Sequence, residues 1–325
     1  MIILWWIGFS LAYAHHIEKS FFMRNENSPG QKQCGFHFLP TVTNEKGPAF
    51  ISMGGRLVEP NEYPFAVHID TDLQSCTGVL ISKRYVLTAA HCLVGAKNEA
   101  QEIRMCGLGP WNARRVDKYV LKPAELSIYP GSRCPNPESC TPYRTKHNIR
   151  LVNPHPEYNI CNGENDIALI ELEEDVSEKD AVPICVPDEN EMLSGLLSAI
   201  GYGDNPYAKD PEKPALRVVD FENYIEDNGK IITIDRARSI CPGDSGGPLF
   251  KKNKDGLTLV GIAFAITPEC SKYNRVRKGY YTDVRKHLYW ICEYSGVCYG
   301  IGKWKTKFSR DDGTNFGEQH DTDIS

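Results

Sequence analysis

Residues 241–248 read Cys241-Pro242-Gly243-Asp244-Ser245-Gly246-Gly247-Pro248. Glycine beside a serine lets the backbone approach a substrate closely and present N–H groups to a developing oxyanion. Acyl transfer at neutral pH also needs a base for the hydroxyl proton and a carboxylate that fixes the tautomer of that base. Histidine titrates near neutrality, so it can accept the proton and return it. Working outward, the chain offers Leu87-Thr88-Ala89-Ala90-His91-Cys92 and Asn165-Asp166-Ile167-Ala168-Leu169. A lone His, Asp or Ser carries no information, but three such segments in the order His, Asp, Ser are not a chance arrangement.

Together these segments resemble the trypsin/chymotrypsin-like serine proteases, from Ile51 to an expected terminal helix. The resemblance implies an all-β fold: two antiparallel six-stranded β-barrels with the active site between them, plus a C-terminal α-helix. It implies His91 as general base, Asp166 as its orienter and Ser245 as nucleophile, with the backbone N–H groups of Gly243 and Ser245 as oxyanion hole. Gly243-x-Ser245-x-Gly247 also fits the nucleophile elbow of α/β-hydrolases. That fold places its histidine after the serine, where only His287 and His320 stand, neither in a supporting motif. The elbow is rejected.

The same resemblance implies disulfides. Cys76–Cys92 would close the loop beside His91, and Cys241–Cys270 would frame the specificity pocket. Cys185 matches the position that ties down a propeptide, with Cys34 as partner. Cys134–Cys140 and Cys292–Cys298 are local guesses, and Cys106 and Cys161 stay unassigned, because spacing alone does not fix connectivity.

The chain departs from the family pattern at two places. Members are made as zymogens, and the amine freed by cleavage pairs with the aspartate before the catalytic serine, here Asp244. This chain reads Ala49-Phe50-Ile51-Ser52-Met53-Gly54-Gly55, with no basic residue immediately before the matching start. In the specificity pocket, Ser239 stands where trypsin-like members carry aspartate, so preference for Arg or Lys is expected to be weak. Gly279 is expected to leave one wall open. The substrate-binding strand matches Phe264-Ala265-Ile266, where Ile266 replaces a glycine and would narrow the pocket, and the serine that bonds the triad aspartate is lost.

The rest of the chain sets the context. Residues 1–14, ending in Ala12-Tyr13-Ala14, read as a signal peptide, and their run of about 12 apolar residues is shorter than the ~20 that span a bilayer. Residues 15–50 read as a leader or propeptide, 51–298 as the protease domain and 299–325 as a disordered tail. Short apolar runs such as Tyr85–Ala90, Asp166–Leu172 and Leu257–Ile266 alternate with turn residues, as in barrels or sandwiches. Val284, Leu288 and Ile291 have helical spacing within a helix expected over Asp283–Tyr294. The Pro-rich stretch from Lys122 to Tyr158 is expected to be a surface loop.

Twelve cysteines fit an oxidising compartment, and no Cys-x-x-Cys pair suggests zinc. A formal charge of −5 without a basic block gives no sign of nucleic acid or anionic membrane as partner. No Asn-x-Ser/Thr sequon occurs. The expected protein is therefore a secreted, extracellular, monomeric serine endopeptidase with no cofactor and no metal. Its expected partners are a protein or peptide substrate, an activating protease and a protein inhibitor. The competing expectation is a catalytically weak or inactive protease homologue that acts as a binding module.

Overall fold

The computed structural model describes residues 34–35, 55–71, 74–132, 145–204, 215–254, 256–270 and 275–298. Residues 1–14 and 299–325, and all of 15–50 except Cys34 and Gly35, lie outside the described residues.

The first half of the chain contributes β1 (Arg56–Leu57), β2 (Ala66–Thr71), β3 (Ser75–Leu80), β4 (Tyr85–Thr88), β5 (Val94–Ala96), helix α1 (Glu99–Gly107), β6 (Lys118–Val120), β7 (Leu126–Pro130), β8 (Ile149–Pro154) and β9 (Ala168–Leu172). The second contributes β10 (Leu197–Gly201), β11 (Arg217–Phe221), β12 (Tyr224–Asp227), β13 (Lys230–Asp235), β14 (Pro248–Asn253), β15 (Gly256–Thr267), β16 (Arg277–Asp283) and helix α2 (Leu288–Ser295). Six strands form one antiparallel sheet in the order β7-β2-β3-β4-β9-β8. The other sheet runs β1-β11-β10-β14-β15-β16-β13-β12, six strands extended at its edges by β1 and β12. This is the two-barrel architecture expected from the sequence.

Side-chain alternation explains why the two halves pack. Successive residues of a strand face opposite sides. On β14, Leu249 joins the core inside the second sheet, whereas Phe250 joins the core shared with the first. Ala199 and Ile200 of β10 divide in the same way. At the junction Phe250 lies 5.4 Å from Tyr63 and 5.5 Å from Phe65, ring centre to ring centre.

Three sequence expectations change. Lys122–Tyr158 is not a continuous loop: it contains β7 and β8, with prolines only at their last positions, where a missing donor costs little. The terminal helix is split, because Val284–Lys286 form a 3-10 turn and α2 begins only at Leu288. Helix α1 has no counterpart in the sequence reading. The Asn98 side chain caps it by accepting the Gln101 N–H at 2.9 Å, and Glu99 and Glu102 favour its N-terminus.

Candidate active site

The strand register brings the three segments together. In the β4–β9 ladder Thr88 opposes Ala168, so the chain leaving β4 and the chain entering β9 lie at the same sheet edge. His91 sits on the 3-10 turn just after β4, and Asp166 just before β9. Ser245 lies on the turn that enters β14.

The imidazole Nδ1 of His91 is 2.8 Å from Asp166 Oδ2, and the His91 backbone N–H donates to Asp166 Oδ1 at 2.9 Å. The Asp166 side chain is 3% exposed and that of His91 26%. Burial disfavours the imidazolium, but the facing carboxylate outweighs it and raises the His91 pKa above its ordinary value. Thr282 Oγ1 donates to the Asp166 carbonyl at 2.8 Å. Asn165, in left-handed conformation at φ 54°, is held by the His287 ring at 3.1 Å. That contact ties the aspartate loop to the entry of α2.

The Gly243–Ser245 turn is equally constrained. Gly243 has φ 94°, a region that side-chain-bearing residues avoid. A Cβ on Gly246 would fall 2.0 Å from Thr88 Oγ1 and 2.2 Å from the Thr77 carbonyl, so only glycine fits there. Thr77 is the hub of the turn: its N–H donates to the Ser245 carbonyl at 2.8 Å, and its Oγ1 donates to the Gly243 carbonyl at 2.8 Å while accepting the Tyr202 N–H at 3.0 Å. No motif pointed to Thr77, since its role depends wholly on tertiary neighbours. Asp244 turns inward, and its carboxylate accepts the N–H groups of Gly203 and Cys241, each at 2.7 Å. No described hydrogen bond joins Ser245 Oγ to the His91 ring.

A cleft of about 470 Å³ opens beside Ser245 and Gly243, walled by Ile240, Phe264, Ala265 and Ile266. Ser239 is buried, its hydroxyl without a hydrogen-bond partner among the described residues. The α-carbon of Gly279 faces Thr233 Oγ1 and the Ile240 and Tyr281 side chains, all within 3.4 Å of a would-be Cβ. Thr233 Oγ1 is the nearest of these, at 2.8 Å. Phe264 stands at a bulge between Ala263 and Ala265, and its ring packs over Gly163 with Lys230 Nζ 5.4 Å from the centroid.

The described disulfides are Cys34–Cys185, Cys76–Cys92, Cys106–Cys161, Cys241–Cys270 and Cys292–Cys298. Cys106–Cys161 was not anticipated; it ties α1 to the loop that leads into Asp166. Cys134 and Cys140 lie outside the described residues. Cys76, His91 and Cys92 offer ligand atoms within 4.8 Å of one another, but the two sulfurs are bonded to each other and are not thiolate ligands.

The family model for trypsin matches residues 52–129 and 139–291, more than half of the chain. The chain belongs to the trypsin family. Among similar members, the chain is 28% identical over 238 residues to CLIP domain-containing serine protease B15 of Anopheles gambiae, covering 66% of this chain and 60% of that protein. It is 29% identical over 296 residues to phenoloxidase-activating factor 3 of Holotrichia diomphalia, covering 82% of this chain and 76% of that protein. It is also 29% identical to vitamin K-dependent protein C of Rattus norvegicus, spanning 53% of that protein. The first and third of these trypsin-family relatives are thus matched over less than two thirds of their own length.

Proposed function

We propose that this chain is a secreted serine endopeptidase that works through an acyl-enzyme on Ser245. The observation that carries the reading is the buried Asp166 carboxylate set against His91 Nδ1, on the sheet edge that also receives the Ser245 turn. In the proposed reaction Ser245 Oγ attacks the scissile carbonyl while His91 Nε2 takes its proton. The oxyanion is received by the N–H groups of Gly243 and Ser245. His91 then protonates the leaving amine, and water, deprotonated by the same ring, hydrolyses the acyl-enzyme. Asp166 stays ionised throughout and holds the tautomer.

Substrate preference follows from the cleft. Ile240 and Ile266 wall the cleft, which Asp204 also lines, while Ser239, at the position where trypsin-like members carry aspartate, is buried outside that lining. We infer from these walls a preference for small or apolar P1 residues rather than Arg or Lys. Residues 1–14 serve as a signal peptide, 15–50 as a leader that Cys34–Cys185 keeps attached, and 299–325 as a tail. The protein acts as a monomer on protein or peptide substrates, with an activating protease and a protein inhibitor as further partners.

A second reading, a binding module without turnover, is favoured by Phe264 and Ile266 where the substrate strand normally carries serine and glycine. A fluorophosphonate probe separates the two. The protease reading expects covalent labelling at Ser245 of the wild type, before or after limited proteolysis near Ile51, abolished in Ser245→Ala and His91→Ala. A folded wild type that stays unlabelled both before and after such proteolysis would favour the binding module instead.

A further inference from the structure

Asp166 sits at the centre of a tight turn, because the Ile167 N–H donates to the Asn165 carbonyl at 2.8 Å. The direction of its side chain is therefore set by the backbone on either side. On one side Thr282 Oγ1 donates to the Asp166 carbonyl at 2.8 Å. On the other, Asn165 holds φ 54°, in the left-handed region that a residue with a Cβ keeps only where its surroundings impose it. Glycine would enter that region freely; asparagine brings an amide by which it can be held.

Both ends of that amide are engaged. Nδ2 donates to the Glu157 carbonyl at 3.2 Å, which turns Oδ1 toward the His287 ring, 3.1 Å from Nε2. An amide oxygen only accepts, so Nε2 brings the proton to this bond. His287 is 7% exposed and stands at the start of α2, whose Leu288, Trp290 and Ile291 share the core with Ile167 and Leu169. Its Nδ1 faces a second acceptor, the Asp283 carbonyl, at 3.0 Å. Burial keeps the His287 pKa below its ordinary value, and a neutral ring has one N–H to give, so it serves one of the two acceptors at a time. The remaining titratable neighbours do not compete for Nε2. The Asp283 carboxylate is taken by Arg285 at 2.9 and 2.7 Å, and the His155 ring stands edge-on with its centre 5.2 Å away.

We propose that His287 is a positioning residue: its Nε2–H fixes Asn165 in the left-handed conformation and thereby aims the Asp166 carboxylate at the His91 imidazole. The proposal rests on the protease reading and adds to it a grip from the corner between β16 and α2. Thr282 holds the Asp166 carbonyl, and His287 holds the residue before it. Phe264 supplies no donor to Asp166, so this corner carries more of the aim.

The test uses the secreted full chain after limited proteolysis near Ile51, and reads the rate of fluorophosphonate labelling at Ser245 as a function of pH. His287→Gln keeps a donor at the place of Nε2, whereas His287→Asn keeps one only at the place of Nδ1. The Asn variant is expected to label slower by on the order of tenfold to a hundredfold, the loss that misplacement by about 1 Å produces. Its acid limb should also move to lower pH, because a poorly aimed Asp166 raises the His91 pKa less. The Gln variant should keep most of the rate and the wild-type limb. In an Asn165→Gly background, His287→Asn should add no further loss, since both changes remove the same bond. A merely structural role of His287 would lower the unfolding free energy in urea and leave the limb where it is. Should His287→Asn fail to fold, Asn165→Gly, which retains access to φ 54°, carries the same expectation for rate and limb. An unmoved limb in the folded variant overturns the proposal, as do equal losses in the Gln and Asn variants or additive losses in the double variant; in each case the protease reading stands. A wild type that stays unlabelled before and after proteolysis removes the protease reading and this proposal with it.

Discussion

Substitution of Asp244 by Asn tests the electrostatics of the nucleophile turn without any substrate. The carboxyl is carried from its ordinary value of 3.8 to about 6 by desolvation. Between those pH values the folded chain holds a proton that the unfolded chain has released, so stability falls as pH rises through that window and the penalty is complete above about pH 6. A rise from 3.8 to about 6 corresponds to about 3 kcal/mol, at about 1.36 kcal/mol per tenfold change in acidity. Between pH 4 and 7 this amounts to about 2 to 3 kcal/mol. Asn cannot titrate, so the stability of wild type minus that of Asp244→Asn should drop by that amount over the interval. Asn also turns its NH2 toward either Gly203 or Cys241, but that cost is independent of pH and leaves the slope untouched. The assay is urea unfolding of the uncut chain at pH 4, 5, 6 and 7, repeated in an Asp204→Asn background to remove the neighbouring carboxyl. Arg217→Gln should steepen the slope, since it removes the cation that favours ionised Asp244. A wild-type-to-Asn difference constant within about 0.5 kcal/mol across the range would show that the carboxylate is well solvated, and the reasoning would fail.

Three further outcomes are expected. Replacing Cys106 and Cys161 together by Ser opens a bridge spanning 55 residues, for which the chain-entropy relation gives about 4 kcal/mol; a fall in unfolding free energy below about 1 kcal/mol would show that the bridge constrains little. Ile266→Gly should enlarge the cleft and raise kcat/KM for aromatic P1 peptides relative to alanine P1 peptides by on the order of tenfold or more; an unchanged ratio would place the P1 side chain elsewhere. Because His91 must be neutral to act and its pKa is raised by Asp166, activity should be lost as pH falls, with an acid limb of kcat/KM midway above 6.5; a limb near 5 contradicts the geometry.

The elements legible in the sequence are those whose signal is local. The His91, Asp166 and Ser245 segments carry glycine, small residues and cysteine at fixed offsets, and strands such as β4 and β9 are short apolar runs. Helix α1 escaped because none of its residues is buried, so it has no apolar stripe and its stability rests on the Asn98 cap and the Cys106 tether. β7 and β8 were hidden because Pro130 and Pro154 read as breakers, although each ends its strand. Cys106–Cys161 joins cysteines without a shared motif, and Thr77 looks like any strand threonine until the Gly243 turn is folded against it.

The bulge at Phe264 shows how a departure from the family pattern is absorbed. A serine there would give Asp166 a hydroxyl donor, and phenylalanine cannot. Asp166 is held instead by the backbone N–H of His91 on one carboxylate oxygen, by the imidazole on the other, and by Thr282 on its carbonyl. Freed from that duty, the position packs an aromatic ring over Gly163, where a Cβ would lie 2.9 Å from the ring. Lys230 caps the ring and reaches the Asn162 carbonyl at 3.5 Å. Asn162 adjoins Cys161, whose disulfide leads to α1. The substrate strand is thereby coupled through packing and one covalent bond to the loop that aims Asp166. Asp166 is then held by His91 and Thr282, whose donors lie away from position 264, while the walls of the cleft include Phe264 and Ile266. The groups that hold Asp166, at the β4–β9 end and on Thr282 of β16, are thus distinct from Phe264 and Ile266 of β15, which wall the cleft.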